Sequence, residues 1–133
     1  MAYEAPGTPA GDVVEICIPV DSAYIALLRT AAAGLAARLD FTLDEIDDLR
    51  IAVDEACSLL VPDAWPHSAL TCRFLMGSSG VEVSVTARQR SGAIPQSSFA
   101  WTVLGALADS SRVDTAADGA VVITIRKERG PRR

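Results

Sequence analysis

The sequence predicts an α+β fold, a two-layer sandwich in which a mixed, mainly antiparallel β-sheet carries helices on one face. Half of the 133 residues are hydrophobic, which is enough for a sizeable core. Two strand-like segments are separated only by the turn sequence GSSG, so we expect them to pair antiparallel. The predicted element order, β-α-α-β-β-α-β, lacks the regular alternation of parallel βαβ units. Helices packed on one face of a sheet fit this order.

The first half of the chain is predicted to contain one strand and two helices. Residues 13–20 (VVEICIPV) are rich in β-branched side chains, which favour a strand. Residues 22–39 repeat apolar side chains at helical spacing and contain many alanines, so they predict the first helix. The second helix is predicted from residue 43 to about residue 61. Thr42 and Glu45 predict a capping box at its start, because each side chain can accept from the other residue's backbone N–H.

The second half is predicted to contain a hairpin, a third helix and a final strand. Residues 69–76 and 81–88 alternate apolar and polar side chains, which is typical of half-buried strands. Residues 89–97 contain glycine, proline and serine, which indicate a loop. Residues 98–109 (SFAWTVLGALAD) predict a helix, and residues 119–127 predict the last strand.

The composition along the chain predicts a single domain with two short tails. Residues 1–11 are rich in Gly, Pro and Ala and are expected to form a flexible N-terminal tail. Residues 12–129 contain all the predicted elements and form the domain. Residues 130–133 are expected to be a basic C-terminal tail.

The acidic character of the chain excludes several classes of partner. The net charge is -5 and the pI is about 4.7, which disfavours direct binding to nucleic acid and to anionic membranes. A protein partner with a basic patch suits this charge better. No apolar run is long enough to span a membrane, and the first residues lack the pattern of a signal peptide. We therefore expect a cytoplasmic protein.

The cysteines and the lone histidine predict no metal site and no disulfide framework. Cys17, Cys57 and Cys72 are isolated, and no CxxC spacing occurs. We expect reduced thiols that behave as small hydrophobic side chains. One imidazole, His67, cannot form a metal site or a Ser-His-Asp triad alone.

An acidic doublet within the apolar stretch LRIAVDEACSLLV, residues 49–61, poses the functional question. Asp54 lies mostly off the apolar stripe of the predicted helix and is expected to be solvated. The longer segment FTLDEIDDLRIAVDEAC, preceded by a helix of this length, resembles the anti-sigma factor serine kinases. These proteins are small relatives of the ATP-binding domains of histidine kinases, gyrase and Hsp90, known as the GHKL or Bergerat fold. The resemblance extends over residues 13–128 and is greatest to an actinobacterial subfamily.

The resemblance implies a regulatory protein with two alternating partners. Members of the family bind an alternative sigma factor of the stress or sporulation type and hold it inactive. They are released by an anti-anti-sigma protein of the STAS type, and many phosphorylate that antagonist on a serine using Mg-ATP. The resemblance also implies a homodimer.

The first nucleotide-binding box of the family pairs a Glu with an Asn four positions later, on one helix face. The Glu orients or deprotonates the attacking hydroxyl, and the Asn carbonyl ligates Mg²⁺, which requires hard oxygen donors. Glu55 matches the Glu, but Leu59 stands at the Asn position and offers no oxygen.

The second and third boxes also depart from the family pattern. The second has an Asp that reads the adenine amino group and a Gly two residues later, where this chain has Ala87 and Gln89. The third has a glycine pair whose bare N–H groups bind phosphates at a helix start, where this chain has Ser98 and Ala100. A loop register shifted by a residue or two supplies no GxG either, because between residues 81 and 118 only Gly92 and Gly105 occur.

These departures predict an anti-sigma factor without ATP-dependent phosphorylation. We expect no cofactor, no metal and no catalytic residue, with Glu55 as a relic of the catalytic base. The alternative is an active serine kinase in which displaced ligands replace the lost ones. A weaker alternative is a remodelled pocket that binds another small-molecule signal.

Helix side chains supply the predicted partner contacts. The resemblance implies that Arg29 contacts both the sigma factor and the antagonist, and its planar fork suits a carboxylate. Asp44, Asp47 and Asp48 are predicted to face a basic segment of the sigma factor. For all four residues the alternative is a solvated helix surface.

Overall fold

The computed structural model describes residues 11–91 and 99–131 and has an α+β architecture. Within these ranges five strands form one sheet joined by three helices, and the predicted fold class is confirmed. The strands are β1 (Val13–Pro19), β2 (Ala69–Met76), β3 (Gly80–Arg88), β4 (Ser110–Thr115) and β5 (Ala120–Glu128); the helices are α1 (Ile25–Arg38), α2 (Leu43–Leu60) and α3 (Phe99–Leu107). The order across the sheet is β1-β2-β3-β5-β4, and short 3-10 turns span Ser22–Tyr24 and Val61–Asp63.

The structure corrects two points of the predicted topology. The described strands all pair antiparallel, so the mixed character expected of the sheet is absent from them. The prediction also missed β4, whose sequence SSRVDT contains one large apolar residue, Val113. An edge strand that buries little carries almost no hydrophobic alternation, so the sequence gives no period-2 signal there. The other strands and the three helices lie within two residues of their predicted bounds, apart from the 3-10 turn that opens the first helix.

The capping box predicted for α2 is confirmed. The Thr42 hydroxyl oxygen accepts from the Glu45 N–H at 3.2 Å, and a Glu45 carboxylate oxygen accepts from the Thr42 N–H at 2.7 Å. Both bonds satisfy N–H groups that lack a partner within the helix. At the other end α2 gives way to the 3-10 turn that contains Pro62, which has no N–H to continue the helix.

The core lies between one face of the sheet and the helical layer. Alternate residues of β2, β3 and β5 are almost completely buried, and α2 contributes the facing stripe between α1 and α3. The largest fully buried side chains on these elements are Phe74, Leu28, Leu49, Leu60, Leu70, Leu104, Ile123 and Ile125.

The last residues of β5 and those just after it contact the helical layer. Lys127 Nζ donates to the Leu107 carbonyl at the end of α3 at 3.0 Å and lies 3.5 Å from an Asp48 carboxylate oxygen on α2. Just beyond the strand, Arg129 Nη1 donates to the Leu39 carbonyl at 3.1 Å. The Gly130 N–H donates to Glu45 Oε2 at 2.5 Å. The α1–α2 connection is therefore fixed by residues from the opposite end of the described chain.

Candidate functional site

The residues matched to the first nucleotide box lie on α2 as the spacing predicts. Glu55 and Leu59 are one turn apart, and both are half-buried. Within the described ranges no hydrogen bond or ion pair of Glu55 is recorded. Leu59 packs against the hydrophobic core. This face of α2 therefore presents one carboxylate beside a hydrocarbon side chain.

The second pair of matched positions lies at the end of β3. Ala87 is buried in the sheet and pairs with Val121 of β5. Gln89 is only 3% exposed, and its Nε2 donates to the Leu60 carbonyl at 2.8 Å. That carbonyl lies at the junction between α2 and the 3-10 turn Val61–Asp63. The Gln89 side chain thus connects the end of β3 to the end of α2, where Leu59 of the first box lies.

Only one of the third pair of matched positions lies within the described residues. Ser98 lies outside the described residues. Ala100 is half-buried in the first turn of α3, and the following Trp101 packs against the core. This packing of Trp101 holds the start of α3 against the rest of the domain.

A cluster that the sequence analysis missed lies beside Gln89. Asp63 Oδ2 accepts from the N–H and hydroxyl of Ser91 at 2.9 and 2.5 Å. The Arg90 N–H donates to the Asp63 carbonyl at 2.8 Å, and Arg90 Nε lies 3.8 Å from Asp63 Oδ1. The Ser91 hydrogen bonds are the main reason that the pKa of Asp63 lies below its usual value. This clamp joins the end of α2 to the segment that leaves β3.

The predicted partner residue Arg29 is paired within the domain. Its Nη1 lies 2.6 Å from Asp54 Oδ1, which links α1 to α2. Asp54, expected to be solvated, is instead one half of this ion pair. Cys57 lies close to the pair. The pKa of its thiol is raised to about 12, mainly by burial and to a smaller extent by the Asp54 carboxylate, while Arg29 acts in the opposite direction.

The three predicted acidic contacts have different surroundings. Asp44 is exposed at the start of α2. Asp47 Oδ1 lies 3.0 Å from Arg50 Nη2 on the same helix, and Asp48 forms the ion pair with Lys127 described above. Asp44 and Asp54 are ten residues apart, which is about 15 Å along a helix. The structure therefore does not bring Arg29 together with the start of α2.

Two open depressions lie away from the predicted site residues. The larger, about 900 Å³, lies between the end of β1 and the turn that contains His67. The smaller, about 480 Å³, lies between the start of β1 and the end of α1. Neither lining includes a predicted nucleotide-binding or partner-binding residue. In the described part of the chain, no group of three His, Cys, Asp or Glu side chains is placed to hold a metal ion.

Comparisons with known proteins add evidence that is independent of the geometry. No family model matches the sequence. Curated proteins named serine-protein kinase RsbW do match it. The protein from Bacillus subtilis strain 168 is 35% identical over 77 residues, which are 56% of this chain and 48% of that protein. The proteins from Bacillus cereus and Bacillus pumilus are 40% and 33% identical over 74 and 79 residues. The chain is therefore similar in sequence to part of these RsbW proteins.

The solved structures support the same RsbW fold. The chain matches a crystal structure titled as the RsbU and RsbW domains of Rv1364c from Mycobacterium tuberculosis, with a TM-score of 0.71. The match covers 92% of this chain and 34% of that one at 17% identity, so it is evidence for the fold alone. The chain spans about half the length of the curated RsbW relatives that it matches. None of the described helices has the length and apolar character needed to cross a bilayer.

Proposed function

We propose that this chain is a member of the RsbW family and a cytoplasmic anti-sigma factor that sequesters an alternative sigma factor of the stress or sporulation type. A STAS-type anti-anti-sigma protein releases the sigma factor by competing for the chain. The names of the curated relatives and the matching fold support membership of this regulatory class. The acidic net charge suits a partner with a basic surface.

We further propose that the switch works without phosphorylation of the antagonist. The observation that carries this proposal is the buried Gln89 amide, whose Nε2 lies 2.8 Å from the Leu60 carbonyl. A glycine at this position would let the backbone approach a nucleotide closely. The glutamine side chain stands at that position instead, and moving it would break its hydrogen bond to the Leu60 carbonyl.

The neighbouring positions support the same reading. Mg²⁺ in nucleotide sites is held by oxygen ligands, and Leu59 supplies none where the family pattern has an Asn. Ala87 is a buried hydrocarbon where the pattern has the carboxylate that reads adenine. The described residues at these two boxes therefore do not fit Mg-ATP.

A switch of this kind follows mass action. If the sigma factor and the antagonist bind overlapping surfaces, the tighter or more abundant partner occupies the chain. Arg29 and the acidic residues of α2, Asp44, Asp47 and Asp48, are the proposed contacts. The homodimer implied by the family resemblance is also part of the proposal, and light scattering on the purified chain tests it.

The first experiment is affinity purification of the full chain from its native cell, with mass spectrometry of the recovered proteins. We expect a sigma factor and a STAS-domain protein, recovered in separate complexes. Arg29→Glu should lose the sigma factor, whereas Arg112→Glu, on the distant edge strand β4, should retain it. Recovery of neither partner by the wild-type chain would contradict the proposed function.

The second experiment tests the absence of phosphotransfer. The chain is incubated with labelled ATP, Mg²⁺ and the recovered antagonist, and titration calorimetry measures nucleotide binding. We expect no phosphoserine and no binding at millimolar Mg-ATP. The variant Leu59→Asn/Ala87→Asp/Gln89→Gly, which rebuilds two of the boxes, is the comparison for any residual binding.

An active serine kinase is the second candidate function. The curated relatives carry that name, and Glu55 is half-buried on the expected face of α2. Stoichiometric phosphotransfer to the antagonist that is abolished in Glu55→Gln would establish this candidate and refute release by competition alone.

A further inference from the structure

The ion pair between α1 and α2 has a geometry that leaves part of the guanidinium available. Asp54 Oδ1 contacts only Nη1 of Arg29, at 2.6 Å. Neither Nε nor Nη2 makes a hydrogen bond or ion pair with a described residue. A guanidinium has five N–H donors in a rigid plane, and the Nε–Nη2 edge presents two parallel N–H groups that match a carboxylate. Asp54 therefore holds one end of the group while the edge suited to bidentate pairing remains open.

The Arg29–Asp54 pair is held in one geometry but remains accessible to a partner. The Arg29 and Asp54 side chains are 44% and 34% exposed. Ile51, one turn before Asp54 on the same face of α2, is 44% exposed. Arginine is among the residues enriched in binding hot spots.

An isolated surface ion pair contributes little to stability, so this one requires another reason for its geometry. Exposed pairs typically contribute about 0–1 kcal/mol, because two side chains must be ordered in a high dielectric. Ordering a long arginine in advance has a different value, since a partner that binds it later loses less conformational freedom. The benefit of the pair would then appear in binding rather than in folding.

We propose that Asp54 is a positioning residue that orients Arg29 so that its Nε–Nη2 edge faces a carboxylate of the protein partner. This inference rests on the proposed function, because it takes Arg29 as a partner contact. Asp54 does not compete with the partner for the guanidinium; it occupies Nη1 and orients the other two nitrogens. A partner that fits this geometry carries an Asp or Glu side chain. That carboxylate approaches the Nε–Nη2 edge of Arg29 at the surface between α1 and α2.

The first test uses the free protein and needs no partner. In ¹H–¹⁵N NMR spectra of the arginine side chains, Arg29 Nε–Hε should show an ordered, slowly exchanging signal in the wild type. The signal should become averaged in Asp54→Ala. A signal that is already averaged in the wild type, or that is unchanged in Asp54→Ala, would overturn the proposal.

The second test is a double-mutant cycle with the sigma factor that co-purifies with the wild-type chain. Asp54→Ala should weaken binding about three- to tenfold by restoring rotamer freedom to Arg29. Asp54→Asn keeps an acceptor at the same place and should weaken binding less. In the Arg29→Ala background, Asp54→Ala should change the affinity less than about twofold, since the two residues act as one unit.

The control and the contrary outcomes separate this inference from the proposed function. Asp114→Ala removes the same charge from an exposed ion pair with Arg112 on β4 and should leave binding unchanged. Tighter or unchanged binding by Asp54→Ala, while Arg29→Ala is weakened, would overturn the positioning role and leave the anti-sigma function intact. Wild-type binding by Arg29→Ala would overturn both the positioning role and the Arg29 interface. A wild-type chain that binds no sigma factor would overturn the proposed function, and the positioning role with it.

Discussion

Replacement of Gln89 by alanine tests whether a buried amide holds the end of α2 where the family pattern has a glycine. The substitution removes the donor at 2.8 Å from the Leu60 carbonyl and one buried methylene group. The Leu60 carbonyl also caps the 3-10 turn that follows it, so the loss of this one hydrogen bond costs about 1 kcal/mol. The lost methylene adds about 0.8 kcal/mol. Removing Oε1, which is buried and has no hydrogen-bond partner among the described residues, recovers about 1 kcal/mol.

The net expectation for Gln89→Ala is a loss of about 1 kcal/mol in the free energy of unfolding. For a domain of this size the loss lowers the Tm by about 4 °C. Urea titration followed by circular dichroism measures it, with an unchanged m-value expected for a two-state loss. Gln89→Met keeps the packed volume and isolates the polar contribution. Ser58→Ala, on the exposed face of α2, is the control and should stay within about 0.5 kcal/mol of wild type.

A contrary result would also bear on the proposed function. If Gln89→Ala unfolds within about 0.5 kcal/mol of wild type, the Leu60 carbonyl does not depend on the amide. The side chain would then be easy to displace, and the main support for release without phosphorylation would be lost.

Three further predictions follow from the described contacts. Thr42→Ala should lose about 1 kcal/mol of stability in thermal unfolding by removing one half of the capping box, whereas Thr42→Ser should retain most of it. Because its folded pKa is depressed, Asp63 stabilises the clamp with Ser91 above its usual pKa of 3.8, and this stabilisation is lost as the pH falls through the lower folded value. In NMR spectra the amide chemical shift of Ser91 should change through that pH range in the wild type and should not do so in Asp63→Asn. With iodoacetamide at pH 8, exposed Cys17 should react first, because burial raises the pKa of Cys57 to about 12; rapid labelling of Cys57 would contradict the buried position.

Local signals predicted most of the fold because they agree with the final packing. The capping box at Thr42 is complete within four residues, and the hairpin is specified by its alternation and turn. β4 was missed because its pairing with β5 involves an exposed and mostly polar sequence. The position of β4 depends on its pairing with β5, which follows it in the chain. A pattern within β4 alone does not predict that pairing.

The contacts around the candidate site were harder to predict because they join distant segments. The bond between Gln89 and Leu60 and the clamp between Asp63 and Ser91 bring together residues almost 30 positions apart. A signal for the Arg29–Asp54 pair did exist. Arg29 lies 12 residues before Phe41 and Asp54 lies 13 residues after it, so in a helical hairpin that turns near Phe41 the two face each other.

The sheet order has a consequence for how the chain is made. β3 lies in the interior of the sheet, but its second neighbour, β5, begins about 30 residues after β3 ends. Until β5 has emerged from the ribosome, one side of β3 offers unpaired backbone groups next to Val81, Val83 and Val85. Such an apolar, open strand invites association between nascent chains. We expect truncation within β5 to give insoluble protein, and chaperones to engage this stretch of the sheet during synthesis.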